Sequence, residues 1–156
     1  MIKKKYVAII ITIIFIFSSL LGGLYITDAS SLDKVEVTVV GITLEELRLT
    51  YCKFTLSIDI YNPAHQDISE VYALFDVSIA GNYVCNGIFP KSFLPAKSNI
   101  EKEVTLTIYY ADVAIAVIDG IQNRNFDLTI EGEAKGKVLF NLFTVSKNFV
   151  STYSYP

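Results

Sequence analysis

Phe54-Thr55-Leu56-Ser57-Ile58-Asp59-Ile60-Tyr61-Asn62-Pro63 decides the fold of this 156-residue chain. Phe54, Leu56, Ile58 and Ile60 are apolar at every second position, with Thr55, Ser57 and Asp59 between them. A period of two is that of a strand with one face in a core and the other in water. Asn62-Pro63 ends the run, because proline cannot donate to a sheet ladder and asparagine suits turns.

The same period recurs on both sides. Val35, Val37 and Val39 predict a first strand, followed by a less regular 41–48 that reads as a helical turn or a bulged strand. Val71, Ala73, Phe75, Val77 and Ile79 predict a third, with Tyr72 and Leu74 on a partly apolar outer face. Gly81-Asn82 predicts a hairpin turn into a return strand over 83–88. Pro90 and Pro95 predict an irregular crossing over 89–98. Val104, Leu106, Ile108 and Tyr110 predict a fifth strand. The alternation breaks at 112–121, where alanines and the cap-competent Asp112 predict a short helix ending near Gly120. Phe126, Leu128 and Ile130 predict a sixth strand, Gly132 and Gly136 a turn, and 138–153 one or two last strands. Seven or eight short strands with one small helix give an all-β antiparallel sandwich over 35–156. Tryptophan is absent, so the buried tryptophan of antibody-type domains cannot be here.

Ahead of the strands, residues 7–26 carry no charge. Twenty helical residues reach about 30 Å, the thickness of a bilayer's hydrocarbon core. Lys3, Lys4 and Lys5 precede the run and Asp28, Asp33 and Glu36 follow it. The positive-inside rule then predicts a cytoplasmic tail at 1–5, a single transmembrane helix at 6–26 acting as a signal-anchor, a tether at 27–34 and a domain outside the cytoplasm, in the cell membrane. A cleaved signal peptide is the rival reading, but its apolar region would run only about 7–15 residues. The bilayer is thus the one expected partner; protein partners are open. The part after residue 27 holds ten bases against sixteen acids, with no basic run, which argues against nucleic acid.

Chemistry is sparse. His65 is the single histidine, short of the several His or Cys of a zinc site. Cys52 and Cys85 are the two cysteines: Cys52 shares the inward parity of Phe54, and the pair reads either as buried thiols or, outside a membrane, as a disulfide. Glu45-Glu46, Glu101/Glu103 and Glu131/Glu133 read as solvated carboxylates rather than an acid–base pair. No phosphate loop, no Gly-x-Ser-x-Gly and no glycosylation sequon occurs. The expectation is a protein that is not an enzyme and takes no cofactor.

One pattern is familiar. An alternating strand closes in Asn62-Pro63, a second ends in Gly81, a return strand carries Gly87, and Phe-Asp-Leu-Thr-Ile-Glu-Gly stands at 126–132. Over Val35 to Phe149 the chain resembles the WHy domain, the group 2 late-embryogenesis-abundant (LEA) family. It departs at Ala64, where the family usually has a second asparagine. The resemblance implies an immunoglobulin- or fibronectin-like sandwich, often membrane-anchored, linked to stress responses and without an active site. Asn62, Pro63 and Gly81 would be structural. The function expected is a stress-protective or binding module displayed outside the cytoplasm. The alternative is a structural subunit of a surface or membrane assembly; a secreted enzyme comes third.

Overall fold

The alternating run belongs to a twelve-residue strand at the centre of a sheet. In the computed structural model, which describes residues 4–138 and 141–155 (side chains for 11–23, 32–137 and 141–155), the order is α1 (Lys4–Asp33), β1 (Glu36–Leu47), β2 (Tyr51–Asn62), β3 (Ile68–Ile79), β4 (Asn82–Leu94), β5 (Ser98–Tyr109), a 3-10 turn (Tyr110–Asp112), α2 (Ile115–Gln122), β6 (Phe126–Val138) and β7 (Phe143–Tyr155). Two antiparallel sheets face each other, β1-β2-β5 and β4-β3-β6-β7. The fourth strand pairs with β3, where an antibody constant domain pairs it with the fifth.

Parity holds through the core. Cys52, Phe54, Leu56, Ile58 and Ile60 of β2 meet Val71, Ala73, Phe75, Val77 and Ile79 of β3, all buried. Phe54 and Phe126 cross edge to face at 5.7 Å between the sheets. The two ends of the sandwich are closed differently. At one, α2 lays Val117 and Ile121 into the core. At the other, Leu32 from the end of α1 is buried at 1% exposure.

The structure corrects the reading at several points, each for a local reason. Residues 36–47 form one strand, bulged at Val40 and Glu45; the first bulge moves the inward set from Val37 and Val39 to Ile42 and Leu44. Residues 89–94 are not a crossing: β4 is an edge strand and Pro90 lies in a bulge between Phe89 and Ser92, where no ladder donor is required. The tight turn is Ala80-Gly81, with φ of +49° and +77°, one residue earlier than expected. Gly132 and Gly136 do not bracket a turn but lie inside β6. Helix α2 starts at Ile115 with Ala114 as a cap without a side-chain bond, so Asp112 caps nothing there, and the helix passes Gly120 to Gln122. Thr55 points outward by parity yet is buried, because β2 is central and Thr105 of β5 covers it, their hydroxyls 3.1 Å apart.

Residues 27–33, expected in the tether, continue α1. Val35 N–H donates to the Leu32 carbonyl, and the Lys147 ammonium donates to the carbonyls of Asp33 at 2.5 Å and Val35 at 2.9 Å. A cation on the last carbonyls of a helix satisfies orphan acceptors and the helix dipole together. Among the described residues no helix is long and apolar enough to cross a membrane. The described side chains of α1, 11–23, cover about 20 Å of helix, and the expected span 6–26 extends beyond them.

Candidate functional site

The carboxylates are dispersed. Glu45 and Glu46 are parted by the bulge, and Glu46 binds Arg48 at 2.6 Å and Lys53 at 3.3 Å. The Arg48 hydrogen bond, above all, lowers the Glu46 pKa. Glu101 and Glu103 stand exposed opposite Asp59 and Ser57. Glu131 faces Asp76 across the outer surface of the larger sheet, while Glu133 pairs with Lys135 at 3.0 Å. His65 is exposed in the β2–β3 loop. Among the described residues no three His, Cys, Asp or Glu side chains are grouped to hold a metal ion.

Asn62, read from sequence as a turn former, is fully buried. Its amide donates to the Gln66 carbonyl at 2.8 Å and the Pro95 carbonyl at 3.1 Å, and its oxygen accepts from Ala64 N–H at 3.1 Å. The side chain thereby fixes its own loop and ties it to the β4–β5 loop. Lys97 N–H to Ala64 O and Ala96 N–H to the Asp67 carboxylate complete the tie. Pro63 opens this loop. Gly81 is at the opposite end of the sandwich in the β3–β4 turn.

Cys52 and Cys85 are free thiols on different sheets. Burial raises both; for Cys85, with Cys52 and Asp76 as the next causes, the value reaches about 11. Burial and the neighbouring Cys52 push the Tyr110 hydroxyl up to about 12. This is an apolar pocket of reluctant acids, unlike the electropositive setting of a reactive cysteine.

Two surfaces remain. On the outer face of the larger sheet, Leu74, Asp76, Asn86, Ile88 and Glu131 ring a depression of about 310 Å³ over Gly87, Phe75 and Gly132. Phe75 is paired with glycine on both sides, Gly87 on β4 and Gly132 on β6. Neither neighbouring strand adds a side chain beside that ring. Tyr72, on the same outer face as Leu74, carries Lys91 over its ring at 5.5 Å.

The second surface is the pole away from α1. There Leu49 is 98% exposed in the β1–β2 turn and Ile115 is 84% exposed at the start of α2. A cavity of about 560 Å³ beside Leu49 is lined by Leu47, Arg48, Leu49 and Gln122. Sequence reasoning missed this pole. Its one legible signal was Leu49 in an otherwise polar turn, and Ile115 is joined to it by the fold alone.

No family model and no curated protein matches the chain. Solved structures do. The solution structure of AT1g01470 from Arabidopsis thaliana superposes with a TM-score of 0.56 at 17% identity, covering 78% of this chain and 82% of that one. A solution structure described as "a putative late embryogenesis abundant (LEA) protein At2g46140.1" covers 99% of this chain and 90% of that one, at 12% identity and a TM-score of 0.42. The first of these likenesses establishes a shared fold.

Proposed function

We propose that this chain is a non-catalytic, LEA-2-like binding module, anchored in a membrane through α1 and displayed outside the cytoplasm, whose sandwich shields stressed or partly unfolded proteins. The Asn62-Pro63 pattern and the fold shared with AT1g01470 support the family part of the reading. The anchor is supported by α1 itself. Ile11, Ile13, Ile14, Phe15, Ile16, Phe17 and Leu20 are exposed on successive sides of the helix, away from the Leu32 end that meets the sandwich. A helix apolar all round has its stable place inside lipid or a protein core.

The single observation that carries the binding role is the far pole, where Leu47 and Leu49 face solvent around a cavity and Ile115 is exposed at the start of α2. Exposed apolar side chains grouped at one pole mark a site for apolar partners. At about 3.3 Å per residue, the twelve-residue strands set that pole roughly 40 Å from the end of α1, which on this reading holds it clear of the bilayer.

The test uses the full chain in lipid vesicles. A bystander enzyme is heated or dried with wild-type vesicles, with Leu49→Asp/Ile115→Asp vesicles, and with empty ones. Protection by wild type that drops to the empty-vesicle level in the double variant is the expected result. Equal protection by both proteins rejects the pole as the contact surface, and no protection by either rejects the protective role. Resistance to alkaline carbonate extraction checks the anchor, and protease shaving of intact cells checks its orientation.

A further inference from the structure

The end of the sandwich nearest α1, like the far pole, exposes apolar side chains, and here lysines stand among them. Leu142 is 71% exposed and Phe143 is half exposed where β7 begins, Phe93 is exposed near the end of β4, and Tyr61 is exposed near the end of β2. Around them stand Lys34, Lys91, Lys97, Lys137 and Lys147, against Asp33, Glu36, Asp67 and Glu70. Glu70 is already engaged by Lys91 at 3.0 Å and Lys137 at 3.2 Å on one oxygen, so two lysines share one carboxylate. With Lys102 and Lys135 against Asp59 and Glu101 at similar depth, bases and acids come close to balance near this pole, in a domain that is acidic as a whole.

The joint between helix and sandwich fixes where this pole points. Leu32 is seated in the core against Ile68 and against Gly136, where a Cβ would come within 3.1 Å of Leu32 Cδ1. Lys147 holds the carbonyls on either side of the bend. A plugged and bonded joint of this kind transmits orientation; a floppy linker would not.

The lengths also agree. Gly136 of β6 is paired with Val145 of β7, which marks the level of Leu32 on the hairpin. From Val145 the extended chain of β7 reaches to Phe143, about 7 Å, and Leu142 lies in the turn just beyond it. From Leu32 back to Ile26, where the apolar run of the sequence ends, is six residues of helix, about 9 Å. The hairpin end that carries Leu142 and the start of the uncharged helix thus lie at similar reaches from Leu32 along the chain.

We propose that this pole is a second membrane contact: Leu142, Phe143, Phe93 and Tyr61 rest in the interface of the bilayer that holds α1, and Lys34, Lys91, Lys97 and Lys137 take anionic lipid headgroups. The inference rests on the anchor proposed above. Aromatic and aliphatic side chains at the headgroup level, with lysine stems reaching outward, are the arrangement that interfaces favour. Each lysine near an anionic surface adds attraction that salt weakens. The consequence is an upright sandwich that presents its far pole, with Leu49 and Ile115, to the surrounding space.

The chain contains no tryptophan, so Leu142→Trp and Leu49→Trp each place one such fluorophore at a chosen pole of the full-length protein. Both variants are reconstituted into vesicles of phosphatidylcholine and phosphatidylglycerol containing brominated lipid. Flotation is read first. A chain that fails to float, or that alkaline carbonate releases, overturns the anchor and this inference with it. For a chain that floats, the expected result is a blue-shifted emission at position 142, quenched several-fold more strongly than at position 49. Equal, weak quenching at both positions overturns the membrane contact and leaves the anchor standing. Phe93→Trp serves as a second reporter on the same pole and should be quenched like position 142; a value matching position 49 counts against the proposal. Replacing phosphatidylglycerol by phosphatidylcholine, or introducing Lys91→Gln/Lys97→Gln, should weaken quenching at 142, and quenching indifferent to both changes overturns the role of the lysines.

Discussion

The Asn62 amide donates to the Pro95 carbonyl at 3.1 Å across thirty-three residues of chain. With its bonds to Gln66 and Ala64, it makes one buried side chain the clamp between two loops at the pole nearest α1. Asn62→Ala leaves the Gln66 and Pro95 carbonyls and the Ala64 N–H without that partner. Each buried polar group left unpaired costs about 1–3 kcal/mol. The variant should lose about 2 kcal/mol or more in urea unfolding, and Asn62→Asp should also destabilise, because it keeps the acceptor and loses both donated bonds.

Gly132 is a glycine required for space. A Cβ there would run into the Leu74 carbonyl and the Phe75 backbone, whereas one at Gly41 would meet Ser57 only at ordinary contact distance, 3.6 Å. Gly132→Ala should cost about 1–3 kcal/mol, the range for overpacking, and Gly41→Ala clearly less. Thermal denaturation of the two variants side by side decides the matter.

Ala80 holds a left-handed φ of +49° in the β3–β4 turn, beside Gly81 at +77°. A residue with a Cβ is disfavoured there by roughly 1–2 kcal/mol. Ala80→Gly should raise the urea midpoint, the gain being reduced by the larger unfolded-state entropy of glycine. An unchanged or lower midpoint would mean the turn bears no such strain.

Alkaline titration should find the Cys52–Cys85–Tyr110 pocket. Cys85 is raised from 9.0 to about 11 and Tyr110 from 10.0 to about 12, so the folded state holds these protons more tightly than the unfolded state. Their contribution is fully present below pH 9 and is lost as pH climbs through 11 and 12. Tyr110→Phe and Cys85→Ala should each make unfolding less steep in pH across that window. In the native wild type, a thiol reagent at neutral pH should label Cys52 and Cys85 far more slowly than in urea.

How much of this was legible in the chain differs from element to element. The β2 run announced its own burial, because a period of two fixes which side chains share a face whatever the partner strand. The same logic placed the inward faces of β3 and β5 and the turn region near Gly81. The sandwich as a class followed from the number and shortness of such runs. Asn62 was located as a structural turn residue, and its bond from Ala64 N–H is of that kind; its burial and its tie to the β4–β5 loop were not legible, because they depend on Pro95 arriving from elsewhere.

Other features exist only in three dimensions. Pro90 continues a strand because β4 lies at a sheet edge, a fact set by which strands pair. Gly132 and Gly136 read as turn formers, since local sequence cannot distinguish a glycine needed for φ from one needed for space beside Phe75 or Leu32. Leu32 is one more apolar residue after a long apolar run, and the sandwich alone turns it into a plug. The two poles gather Leu49 with Ile115, and Leu142 with Phe93, from distant parts of the chain. Periodicity determined by itself which side chains face inward, because that depends on backbone geometry within one strand. Tertiary structure decided the surfaces, because a surface is made by segments that share no sequence neighbourhood.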